Sequence, residues 1–106
     1  MTYYEAVKAA LATLSVPYFH NKAHKQDNEY IVWSETPTAG LVADGRIQNR
    51  AQRIAVDFFT KSEYSATPVS IQKALESVGY AVSPRIESIY EETTGYTHYA
   101  LTAVWY

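Results

Sequence analysis

The segment YIVWSE (residues 30–35), a polar connection closing on VADG (42–45), and RIAVDFFTK (53–61) decide the fold. Tyr30, Val32 and Ser34 alternate with Ile31 and Trp33, and Ile54, Val56 and Phe58 alternate with Ala55, Asp57 and Phe59. Strict alternation of this kind is the signature of a β-strand, in which successive side chains leave opposite faces of the sheet. Both faces of the second strand carry apolar residues, so part of its second face should also be covered. A tight hairpin needs two to five loop residues, and a connection much longer than that usually has a task of its own. Pro37, Gly40 and the Asp44-Gly45 turn signal punctuate it, which makes it a candidate arm held out to a partner.

Outward from this pair, the first element is a helix. Thr2 and Glu5 form a capping box, and Val7, Leu11 and Leu14 with Ala10 lay down one apolar stripe before Pro17 ends it. Residues 18–28 are polar and basic and should cross the surface. A second helix is marked by Thr67 as N-cap, Pro68 in the first turn, the stripe Ile71, Leu75 and Val78, and Gly79 beyond its end. Residues 82–92 and 96–106 then read as a hairpin around Thr93-Thr94-Gly95, with Tyr99, Leu101, Ala103 and Trp105 on its core face. The element order is α-β-β-α-β-β. The simplest layering is α+β: a mostly antiparallel four-stranded sheet with two helices packed on one face. A length of 106 residues predicts a single domain spanning 1–106, with a long protruding loop about 36–50.

Composition narrows function by exclusion. The chain has no cysteine, which removes disulfides and thiolate metal sites. A net charge of −2 argues against a dedicated nucleic-acid binder, so any such contact should be incidental. No apolar run approaches a membrane span, and the start MTYYEAVKAALATL lacks the features of a signal peptide. Ten tyrosines exceed what a small core hides and fit an interface. His20, Lys22, His24 and Lys25 make one basic cluster, Arg46, Arg50 and Arg53 a second, while Glu87, Glu91 and Glu92 are acidic. Such patches are either ordinary solvated faces or complementary surfaces that meet across copies of the chain.

Residues that could carry chemistry lack the company that chemistry needs. His20 and His24 have metal-pair spacing only if helical, and no HExxH pattern surrounds them. Asp57 and His98 lie on strands with no nucleophile-elbow motif, so a structural hydrogen bond or an intersubunit contact is the expectation for Asp57. The four glycines stand singly at turns and build no phosphate cradle. No enzymatic activity, cofactor or metal is expected.

The residues carry a family resemblance. YIVWSE, VADG after a polar loop, VDFFTKSEY (56–64), IQKALESVGY (71–80) and IESIYEETTGYTHYALTAVW (86–105) together resemble small head–tail joining proteins of long-tailed phages and prophages of Gram-positive bacteria. The similarity is to the tail-terminator, or tail-completion, class and covers residues 30–105. It implies an α+β structural protein of the virion neck, made in the host cytoplasm. Family members form a ring, commonly a hexamer, that caps the tail tube and presents a surface to the head connector. The implied partners are therefore further copies of the chain, the tail-tube protein and a head-connector protein. A head-side connector or stopper, or a minor capsid protein, is the alternative within the virion; a small ligand-binding or enzymatic module is the alternative outside it. A ring needs two different patches on each subunit. The candidates are Arg46, Arg50 and Arg53 against Glu87, Glu91 and Glu92, with Pro37, Leu41 and Asp44 on the arm.

Overall fold

The computed structural model describes residues 1–37 and 51–106, and between them the backbone of Val42–Ala43 and Arg46–Ile47. Two helices, α1 (Tyr3–Ala12) and α2 (Thr67–Ser77), pack on one face of a sheet. Its strands are β1 (Tyr18–His20), β2 (Glu29–Thr36), β5 (Gln52–Thr60), β6 (Ala81–Val82), β7 (Glu87–Glu91) and β8 (Tyr96–Trp105), while among the described residues β3 (Val42–Ala43) and β4 (Arg46–Ile47) pair with each other. The class is α+β, and the sheet is six-stranded and mixed. Its order is β1-β2-β5-β8, with β6 and β7 both on the far side of β8.

The four long strands expected from the sequence, β2, β5, β8 and β7, form an antiparallel set. Two features enlarge it. Residues 18–20, expected to cross the surface, form β1 and pair parallel with β2. The reason lies in β2, whose Ile31 and Trp33 are fully buried. Their N–H and C=O groups point away from β5 and need partners on the outer side of the strand. Ile31 N–H donates to the Pro17 C=O, and Asn21 N–H to the Trp33 C=O, each at 2.8 Å. The run 82–92 is also two strands rather than one. Residues 83–86 lie opposite only Leu101 and Thr102 and contain Pro84, which has no N–H to give the ladder.

The core forms where the alternation placed it. Ile31, Trp33, Ile54, Val56, Phe58, Leu101 and Ala103 of the sheet meet Val7 and Leu11 of α1 and Ile71 and Leu75 of α2, all buried. The Thr2–Glu5 capping box is present, with Glu5 N–H donating to Thr2 Oγ1 at 3.2 Å and Thr2 N–H to Glu5 Oε1 at 2.9 Å. The helix ends at Ala12, before Pro17, because the Thr13 N–H and hydroxyl both turn back to the Ala10 carbonyl. The N-cap of α2 is Ala66 rather than Thr67; the Thr67 N–H is taken instead by Ser65 Oγ at 3.2 Å. Gly79 closes α2 at φ +111°, with Tyr80 N–H reaching back to Leu75 C=O and Gly79 N–H to Glu76 C=O. A side chain there would be strained by the backbone and would meet the Trp105 ring at 3.2 Å. No helix among the described residues is long and apolar enough to cross a membrane.

Candidate functional site

The helices occupy one face of the sheet. The other face carries the alternate residues of the same strands: Val32 and Ser34, then Ala55, Asp57 and Phe59, then His98, Ala100 and Thr102. At its lower corner the Phe59 ring stacks between Tyr30, 4.8 Å away, and His98, 4.4 Å away. Tyr96 stands edge-on to Tyr30 at 5.5 Å, and its hydroxyl donates to the Asp27 carbonyl at 2.7 Å. That bond ties the segment before β2 to this corner and leaves Tyr30 only 5 % exposed. Burial, with Tyr96 and Glu91 nearby, pushes the Tyr30 phenol above its usual range. Thus part of the second face is covered, by a segment rather than by a helix.

His98 Nε2 donates to Asp57 Oδ1 at 2.8 Å, across neighbouring strands. The carboxylate can orient the ring and fix which nitrogen carries the hydrogen. Nucleophilic catalysis needs a hydroxyl or thiol on the other ring nitrogen. Among the described residues none bonds there. At the opposite end of this face a shallow groove of about 480 Å³ is lined by Arg53, Val82, Ser83, Thr102, Val104 and Tyr106. Neither Asp57 nor His98 borders it.

The predicted interface residues divide into three groups. Pro37 is exposed just past β2, and Arg53 is exposed on β5 opposite Val104. Glu87 and Glu91 sit two strands away on β7, on the same face as Arg53, and Glu92 is exposed in the turn that follows. Leu41, Asp44, Arg50 and the Arg46 side chain lie outside the described residues. Arg53 aligns with Val104 and Glu91 with Tyr96, eight positions apart on β8. At a rise of about 3.3 Å per residue the two charges stand roughly 26 Å apart along the strands, too far to pair within one subunit. Among the described residues Arg53, Glu87 and Glu92 have no ion-pair partner. Glu91 accepts a bond from the Thr94 hydroxyl at 3.3 Å and so also steadies its own turn.

A second polar cluster was not foreseen. On the helix side of β2, Glu35 accepts from Tyr3 Oη at 2.8 Å and from His20 Nε2 at 2.6 Å. Trp33 stacks on the His20 ring at 4.0 Å. These bonds, with His20 first, hold the Glu35 carboxyl below its usual range. His20 therefore leaves the basic cluster to which its sequence neighbours assign it. No group of metal-ligating side chains forms among the described residues.

No protein-family model matches the chain, and no curated protein matches it either.

Proposed function

We propose that this chain is a structural assembly protein of the phage neck, a tail terminator. It would self-associate into a ring, end growth of the tail tube and give the head connector a docking surface. The family resemblance of residues 30–105 supplies the specific role. The physical support is one observation: among the described residues the second sheet face carries no helix, and Arg53 at one end stands too far from Glu91 at the other for the two to pair. Two unlike patches on one subunit suit a heterologous contact, which closes into rings when the rotation allows.

Electron microscopy of tails assembled with and without the protein tests the role. With it, tails should have one length and a capped end; without it, they should overgrow and fail to join heads. Equal tail lengths in both preparations would reject the proposal. Capture by portal or adaptor protein, with no capture by the tail tube, would move the protein to the head side of the neck.

A further inference from the structure

We propose that copies of this chain join edge to edge, β7 of one subunit pairing with β1 of the next. The proposal rests on the ring reading for its closure and on the two sheet edges for its contact.

The strand order leaves β1 and β7 at opposite edges. In the parallel ladder on β2, alternate residues of β1 bond inward, so the N–H and C=O of Tyr18 and the N–H of His20 point outward. Among the described residues the one outer-edge acceptor already used is the His20 carbonyl, which takes the Lys22 N–H at 2.8 Å. The five residues of β7 likewise turn alternate backbone groups away from β8. Open edges invite pairing, and proteins that remain single usually blunt them with proline, bulges or inward charges. β7 has neither proline nor bulge, and between its charged ends, Glu87 and Glu91, it leaves Ile89 and Tyr90, on opposite faces, 64 % and 61 % exposed.

Charge favours a second copy as the occupant. The β7 edge carries Glu87, Glu91 and Glu92 against Arg85, with Lys61 over the Tyr96 ring on the next strand. Lys25 lies 3.6 Å from Asp27 in the segment held at the Tyr96 corner, while beside the β1 edge stands Lys22, two residues past the strand with its N–H on the His20 carbonyl. Lys8 is close by: it lies over the Tyr4 ring, which itself touches His20.

Strand direction agrees. β1 runs with β2 and β8, and β7 runs against them. Rotation about a ring axis along the strands preserves direction, so β1 of one subunit meets β7 of the next antiparallel, the more stable pairing. Because β1 is only three residues long, the contact is weak in one pair and depends on closure of the ring.

The chain has no cysteine, so introduced pairs report the contact without background. Phe19, Val32, Asp57, Ala100 and Glu87 form one row across the sheet, and Ile89 lies two positions along on the same face. Phe19→Cys is therefore combined with Glu87→Cys or with Ile89→Cys, and the concentrated protein is oxidised. A ladder of disulfide-linked oligomers from at least one double variant is expected. Each single variant alone should stay monomeric, and the two mixed should stop at dimers. Absence of a ladder from both double variants overturns the proposal. So does cross-linking of Ile89→Cys with itself, which would mean a two-fold β7–β7 contact.

Lys22→Glu tests the same contact in a chain that keeps Phe19. It should weaken self-association in sedimentation by roughly two- to five-fold, as expected for a reversed exposed pair. Adding Glu87→Lys and Glu91→Lys should restore it, and unchanged association would count against the pairing. Cross-linked ladders from a protein that tails do not need would keep the edge contact and discard the neck role. Tails completed without any β1–β7 cross-link would do the opposite.

Discussion

Phe58 and Phe59 are neighbours in the chain and belong to different environments. Phe58 faces the helices and is fully buried among core side chains. Phe59 faces the other way and is held by two rings, Tyr30 and His98, stacked on its sides. Each sheet face also has a histidine–carboxylate pair, His20–Glu35 on the helix side and His98–Asp57 on the open side. The helix-side pair is drawn into the fold by a third group, Tyr3 of α1, whereas the open-side pair joins only two adjacent strands. One face spends its side chains on holding the molecule together. The other is covered at one corner by the segment before β2 and leaves Arg53 and Glu87 exposed.

The sharpest way to break this contrast is to truncate the two phenylalanines in turn. Phe58→Ala should cost about 3–5 kcal/mol, through lost transfer energy and the cavity left behind. In a domain of this size that lowers Tm by roughly 15 °C or more. Phe59→Ala should cost about 1–2 kcal/mol, since its ring is partly exposed and loses mainly the stacking with Tyr30 and His98. Calorimetry on the two variants checks both. Equal losses would mean that the open face is packed as firmly as the helix face, and the case for it as a contact surface would fall.

The sequence discloses much of this contrast because alternation is a local signal. Ile54, Val56 and Phe58 announce the core side of β5, and the Thr2–Glu5 spacing announces the start of α1. What stayed hidden depends on distant partners. β1 has three residues, too few for a period, and exists because β2 needs a second neighbour for Ile31 and Trp33. Glu35 meets Tyr3 across 32 positions, so nothing nearby marks it as a junction. His20 reads as one of four basic residues until folding turns its ring onto Trp33. Pro84 was visible, yet its effect requires knowing that β8 runs unbroken past it. Of the interface candidates, the acidic set proved to share one edge, while the arginine set extends into residues outside those described.

The smallest effects should come from the two carboxylates, and they should differ. Glu35 accepts two donors, Tyr3 Oη and His20 Nε2, one at each oxygen. In Glu35→Gln one of those oxygens becomes an NH₂ that cannot accept, so one bond is lost, for a cost of about 1 kcal/mol at neutral pH. Asp57 receives one donor, which an asparagine oxygen can still serve, so Asp57→Asn should change stability by less than about 0.5 kcal/mol. Acid adds a second distinction. Because folding lowers the Glu35 pKa from its ordinary 4.5, its contribution is complete above that pH. The contribution is then lost as pH falls through the folded value. The gap between the parent protein and Glu35→Gln should therefore shrink on acidification below about 4.5, as urea unfolding from pH 7 to pH 3 would show. A gap that widened in acid would mean that Glu35 is bound chiefly as the protonated acid. The Tyr3–Glu35–His20 junction would then have to be redrawn, and with it the tie that commits this face to stability.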